Sequence, residues 1–169
     1  MTAPVFVDTN VLLYAVDTAD AEKHRAASAW RLELWKSRRG RLSYQVLQEF
    51  YVQALRKNPQ DADAAEAEVR DLFAWDPVVV DASVIDAAWR LRKRFSLSFW
   101  DALIVGAAKA AGCAYLLTED LSHGQDLDGV RVVSPFRVAP PDLDGLPCAA
   151  RRSGRSVTAA SRSSLRPLR

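Results

Sequence analysis

Short β-type runs alternate with longer segments of helical periodicity, and that alternation most restricts how this chain can fold. Val5 to Val7, Arg41 to Ser43, Val78 to Val80, Ala114 to Leu117 and Val130 to Val133 read as short strands. Between them, Ala21 to Lys36, Tyr44 to Lys57, Asp61 to Trp75, Ala82 to Phe95 and Phe99 to Ala111 read as helices. Ala27, Trp30 and Leu34 recur at helical spacing, Asn58-Pro59 and Asp76-Pro77 are stops, and Gly112 is placed to cap a helix C-terminus. Strands alternating with helices predict an α/β fold of three layers, α/β/α, around a central parallel sheet. In such a sheet, ligand sites form beyond the carboxyl ends of the strands, near a topological switch point.

One domain is expected over residues 1–138, since 169 residues with 49% hydrophobic content suffice for one sizeable core. No apolar run approaches the roughly 20 residues of a membrane span, and no basic-then-apolar leader opens the chain. A soluble cytoplasmic protein without a membrane partner is the expectation. Residues 139–169 carry six arginines against Asp142 and Asp144, are rich in Ser and Pro, and lack periodicity. They read as a basic, disordered tail. The net charge of +2 comes from that tail, so the body is not a basic nucleic-acid binder in bulk, and any such activity must rest on local patches. Cys113 and Cys148 lack metal-ligand spacing and read as a core residue and a tail thiol.

The stretch VFVDTNVLLY, Val5 to Tyr14, sets a carboxylate inside an apolar run. The sheet logic gives that acid a place. Asp8 directly follows the first strand, and Asp120 follows the strand ending at Leu117. A crossover helix runs antiparallel to its strands, so its N-terminus lies at the same carboxyl edge. Asp101 falls in the first turn of one such helix and Glu49 in the first half of another. Four carboxylates from distant segments thus share one edge, where their mutual repulsion calls for a cation or strong hydrogen bonds. Oxygen ligands without clustered Cys or His suit Mg²⁺ or Mn²⁺, ions that support hydrolysis of a phosphodiester.

Each acid also has a local reading. Asp8 fits an N-cap of the segment from Thr9. Ser98 to Asp101 matches a capping box. Asp120 fits an Asx-turn, with Glu119 a solvated neighbour close enough to be a fifth acid. Glu49 falls on a wheel among Gln45, Gln53 and Arg56, away from Leu47, Tyr51 and Ala54, which describes a solvated face or a wet cleft equally well.

VFVDTNVLLYA, SYQVLQEFY, LSFWDALIVGAA and YLLTEDLSHGQ, in this order, resemble the signature segments of PIN-domain ribonucleases, in particular the VapC-type toxins of toxin–antitoxin pairs. The resemblance covers residues 4 to 138. It implies a compact α/β/α domain and a Mg²⁺- or Mn²⁺-dependent endoribonuclease that hydrolyses RNA with an activated water. It implies that Asp8, Glu49, Asp101 and Asp120 are the catalytic, metal-holding acids, that Asn10 supports the metal site and that Thr118 orients a carboxylate. It also implies a cognate antitoxin that covers the site, and a homodimer. The tail from residue 139 has no counterpart in that pattern.

Two other functions fit parts of the sequence. A non-catalytic RNA- or protein-binding module would use the acids only as caps. An aspartyl-nucleophile phosphatase would want a second acid where Asn10 stands. Lys36, Arg38, Arg39 and Arg41 form a basic cluster that reads either as a solvated loop or as phosphate contacts beside the acids. Arg90, Arg92, Lys93 and Arg94 fit a helix C-terminus by dipole complementarity. The five tryptophans read as core or dimer-interface residues, with Trp100 bordering the site. His24 and His123 have no nucleophile or ligand partner in the pattern.

Overall fold

The computed structural model describes residues 3–147. Strands β1 (Val5–Val7), β2 (Gly40–Arg41), β3 (Tyr115–Leu117) and β4 (Arg131–Val133) form one sheet in the order β2-β1-β3-β4, every pair parallel. Among the described residues six helices flank it: α1 (Thr9–Val16), α2 (Ala21–Ser37), α3 (Tyr44–Lys57), α4 (Ala62–Leu72), α5 (Ala82–Phe95) and α6 (Phe99–Ala110). Among the described residues, no helix is long and apolar enough to cross a membrane. The β1 and β3 residues are buried throughout, as the continuous apolar runs of a sheet covered on both faces require.

The chain leaves β1 toward β2 on one side and later returns to β3 on the other. The switch point therefore lies between β1 and β3, and Asp8 and Thr118 are the residues that follow these two strands. α6 ends in a Schellman arrangement. The Gly112 N–H donates to the Lys109 carbonyl and the Cys113 N–H to the Ala108 carbonyl, with Gly112 at φ +68°. That tight stop turns the chain directly into β3 and fixes the N-terminus of α6 at the far, carboxyl side of the sheet.

The strand expected over Val78 to Val80 is a single parallel bridge, Val78 to Ser43. Val79 is exposed, and Asp81 already caps α5 with its carboxylate on the Ser83 and Val84 N–H groups, so only one residue can pair. The helix expected over Asp61 to Trp75 is α4 followed by a 3₁₀ turn, Phe73–Trp75, that inserts Trp75 into the core. The core there is tight. A Cβ on Gly40 would meet the Trp75 ring at 2.6 Å.

Packed chain continues past residue 138. A 3₁₀ turn, Pro140–Gly145, buries Leu143, and Asp144 takes both terminal nitrogens of Arg39, at 2.9 and 3.3 Å. The Trp30 Nε1 donates to the Val138 carbonyl at 3.0 Å, drawing this segment onto α2. Leu143 and Leu146 supply an apolar contact that the Pro- and Asp-rich composition of 139–147 conceals. Cys148 and the arginines of the tail lie outside the described residues. Cys113 is buried in the core, which pushes its thiol up to about 12.

Candidate active site

Asp8 carries the largest electrostatic cost of the described site. It is 9% exposed. It ends β1 and N-caps α1, with Oδ1 accepting from the Thr9 N–H at 2.7 Å. The local cap is therefore real, but it uses one oxygen only. Oδ2 accepts from the Thr118 hydroxyl at 2.7 Å and from Asn10 Nδ2 at 3.4 Å. Burial pushes the carboxyl up to about 6, against the pull of the Thr118 and Thr9 donors, and the charges of Asp120 and Glu49 push it further the same way.

Asn10 links the ends of the two strands. Its Nδ2 also donates to Thr118 Oγ1 at 3.2 Å and to Asp120 Oδ2 at 2.8 Å. The Asp120 N–H donates to Thr118 Oγ1 at 3.2 Å. Asp120 is thus turned toward Asn10 and Asp8 instead of closing an Asx-turn. Thr118 is fully buried and exchanges bonds with Asp8, Asn10 and Asp120.

Glu49 reaches the same cluster from α3. Its Oε2 accepts from Thr9 Oγ1 at 3.1 Å and its Oε1 from Gln45 Nε2 at 2.9 Å. The wheel puts Glu49 with Gln45, and both face the cleft beside α1, not bulk solvent; Gln45 is itself buried. Asp101 stands apart. Its N–H donates to Ser98 Oγ, and Ser98 Oγ donates to its Oδ2 at 2.6 Å, so the carboxylate closes its own helix cap. It sits at the carboxyl edge but bonds to none of the other three acids. Among the described residues, no three acidic, Cys or His side chains close on a single cation-sized point.

Sequence reasoning missed two supports. Thr9 and Gln45 hold Glu49, and only the i, i+4 spacing of Gln45 to Glu49 hinted at it. Glu119 is an ion-pair partner and not a solvated neighbour. Lys23 Nζ donates to Glu119 Oε2 at 2.7 Å and to Tyr14 Oη at 3.0 Å, while Tyr14 Oη donates to Glu119 Oε1 at 2.7 Å. Lys23 also lies over the Tyr14 and Phe136 rings, and its bonds to Glu119 and then Tyr14 raise its pKa. The histidines have structural partners: His24 Nδ1 at the Tyr14 carbonyl, and His123 Nδ1 accepting from the Ser134 N–H.

The basic cluster Lys36 to Arg41 is not beside the acids. Arg39 Nε donates to the Ala3 carbonyl, ahead of β1, and the cluster joins the C-terminus of α2 to the start of β2, at the amino edge. The phosphate-contact reading of that cluster fails on this placement. The end of α5 is separated from α6 by Ser96 to Ser98 only, so Arg92, Lys93 and Arg94 lie on the side where α6 begins.

The donor set fits a hard divalent cation. It is made of carboxylate and amide oxygens, and one acceptor, Asn10 Oδ1, is buried without a hydrogen-bond partner. Burial first, and then the charges of Asp120 and Glu49, raise the Asp8 carboxyl, and a bound cation would offset both.

This arrangement, acids after β1 and β3 of a parallel sheet with a Thr and an Asn between them, coincides with a family match over residues 5–125 to the PIN domain. The chain belongs to the PIN domain family. All four acids fall inside the matched PIN segment. No curated protein sequence matches the chain. Solved structures similar to this PIN domain include a VapC toxin and toxin–antitoxin complexes. A toxin–antitoxin complex from Klebsiella pneumoniae aligns at TM-score 0.57 and 21% identity, over 79% of this chain and 99% of that one. VapC20 of Mycobacterium tuberculosis, a Sarcin-Ricin loop cleaving toxin, aligns at TM-score 0.53 and 26% identity, over 66% of this chain and 86% of its own. DNA-bound VapBC from Salmonella typhimurium aligns at 0.53 and 16% identity, over 78% and 97%.

Proposed function

We propose that this PIN domain is the toxin of a toxin–antitoxin pair, a Mg²⁺- or Mn²⁺-dependent endoribonuclease. The observation that carries the reading is the Asp8–Thr118–Asn10–Asp120 network at the switch point, with its raised carboxyl and its unpartnered Asn10 oxygen. Asp8 and Asp120 would hold the ion directly. Glu49 joins them from Thr9, and Asp101 joins by turning its carboxylate off Ser98. A divalent ion supplies Lewis-acid charge that makes a water nucleophilic at neutral pH and offsets charge on the phosphate. Thr118 keeps Asp8 oriented, and Asn10 keeps Asp8 and Asp120 at a fixed separation. The burial of Asp8 keeps its charge unscreened, so it acts strongly on whatever cation it meets.

The substrate is RNA, and the attack leaves a 5′-phosphate and a 3′-hydroxyl. A cognate antitoxin covers the site and meets its acids with a basic side chain; a homodimer completes the assembly. The solved toxin–antitoxin complexes of similar fold support an antitoxin partner. Purified protein incubated with RNA and Mn²⁺ tests the reading. Cleavage that chelation and Asp8→Asn both abolish, with the fold intact, is the expected result. A folded, active Asp8→Asn protein overturns it.

The Ser98–Asp101 cap favours a second reading, a binding module in which the acids only cap helices. That module gains no stability from Mn²⁺.

A further inference from the structure

Three tryptophans of this chain are largely exposed, Trp35, Trp89 and Trp100, and Trp100 is the most exposed at 63%. It adjoins Asp101 in the first turn of α6, at the carboxyl edge of the sheet. Phe99, half-buried against the core, holds it edge-on, with centroids 5.6 Å apart and planes at 61°. This large exposed ring, in contact with Phe99 and next in the chain to Asp101, offers a flat face for contact.

The charges near it in the chain indicate what it contacts. The last turn of α5 carries Arg92, Lys93 and Arg94, and Ser96 to Ser98 alone separate that turn from α6. Arg94 is paired with Asp128. Arg92 and Lys93 are exposed and make no ion pair among the described residues. Ser96, at φ 55°, turns the chain sharply enough to bring the two helix ends together. An exposed aromatic ring with exposed cations one short turn away along the chain is a combination that binds single-stranded nucleic acid: the ring stacks on a base and the cations follow the phosphates.

We infer that Trp100 is a stacking platform for an unpaired base of the RNA substrate, with Arg92 and Lys93 contacting the adjoining backbone. This rests on the ribonuclease reading above and adds to it which part of the surface selects an unpaired strand. A duplex, whose bases are already stacked on each other, offers the ring no face.

The test uses the full-length chain carrying Asp8→Asn, so that RNA is bound and not cut. Binding of a short fluorescein-labelled single-stranded oligoribonucleotide of mixed sequence is followed by anisotropy, beside the same sequence as a duplex. Trp100→Ala is expected to weaken single-strand binding roughly ten-fold or more and leave duplex binding unchanged, while Trp100→Phe retains most of the affinity. Trp89→Ala on α5 changes neither. Lys93→Ala makes the dependence of log K on log salt shallower by about 0.7, the loss of one phosphate contact on a single strand. Thermal melts of each variant establish that it is folded, and Trp100→Phe with Lys93→Ala keeps the test decisive if Trp100→Ala does not fold. Unchanged single-strand binding in folded Trp100→Ala overturns the inference, as does equal loss for strand and duplex. Loss of antitoxin binding with RNA binding intact assigns Trp100 to the protein partner and overturns it too. Cleavage by the unmutated chain separates the two levels. If Asp8-intact protein cleaves RNA with Mn²⁺ and its Trp100→Ala variant has the same KM, only the platform is wrong. If the unmutated chain neither cleaves nor binds RNA, the ribonuclease reading itself fails.

Discussion

Thr118 Oγ1 donates to Asp8 Oδ2 at 2.7 Å, joining residues 110 positions apart that directly follow two neighbouring parallel strands. The bond is buried, and Thr118 Oγ1 in turn accepts from Asn10 and from the Asp120 N–H. Replacing that one oxygen therefore removes the bond of the Asp120 N–H and takes one partner each from buried Asp8 and from Asn10. Thr118→Val, nearly equal in shape, is expected to cost about 1–3 kcal/mol in urea unfolding and to weaken Mn²⁺ binding. Thr118→Ser keeps the hydroxyl and should lose much less on both counts. Equal losses for Val and Ser would assign the effect to the methyl group instead.

Asp8 gives the metal-free fold a distinctive pH dependence. Its carboxyl has an ordinary value of 3.8 and is raised to about 6 in the fold. Between those values the folded state holds more protons than the unfolded state. Stability should therefore fall as pH rises from about 4 to about 6, by about 3 kcal/mol in total. Asp8→Asn removes that fall. Urea midpoints in chelator at both ends of this window measure it: Asp8→Asn should gain on the parent at neutral pH and show little gain near pH 4. A parent that becomes more stable through that window would contradict the burial of an uncompensated Asp8.

A cation that binds the fold and not the unfolded chain raises stability by about 2.7 kcal/mol at a hundred times its Kd. Mn²⁺ should therefore raise the thermal midpoint of the full-length protein. Asp8→Asn should abolish the shift, and Asp101→Asn should abolish or sharply reduce it if Asp101 turns off Ser98 toward the ion. A full shift in Asp101→Asn would leave Asp101 as a helix cap alone.

Lys23 and Glu119 are both partly exposed, at 33 and 25% of their side chains. A double-mutant cycle with Lys23→Met and Glu119→Gln should give a coupling of about 0.2–1 kcal/mol, the range of solvent-accessible pairs. A coupling near zero would mean that the Tyr14 contacts alone hold this corner.

Gly40→Ala puts a methyl group within 2.6 Å of the buried Trp75 ring. The ring is enclosed and cannot withdraw cheaply, so a loss of about 1–3 kcal/mol is expected in denaturant unfolding. Gly112→Ala acts differently: its Cβ meets nothing, and its cost comes from the positive φ alone. Equal and small effects at both positions would show that Trp75 is free to shift.

Periodicity and punctuation placed most elements within a residue or two, because each helix carries its own stop or cap: Asn58 after α3, Ser98 before α6, Gly112 after it. It failed at Val78 to Val80, where β-branched composition favours a strand but only Val78 finds a neighbour to pair with. It also gave no sign of the turn at Pro140–Gly145. Leu143 and Asp144 are unremarkable in sequence and become part of the fold only because Arg39 and α2 present a partner to them.

The acids divide the same way. The chain by itself determined that Asp8 and Asp120 follow strands and that Asp101 and Glu49 start or nearly start helices, because in a parallel sheet element order fixes which edge a residue occupies. It could not determine which side chains meet. Contact depends on rotamer, register and neighbouring groups, and only the packed fold set Thr9 beneath Glu49, Asn10 between Asp8 and Asp120, and Ser98 against Asp101. It likewise moved the basic cluster at Lys36 to Arg41 to the far edge, since α2 runs away from the acids before β2 begins. Local sequence sets where a residue lies along its own element; which distant residue faces it is decided by how the elements pack.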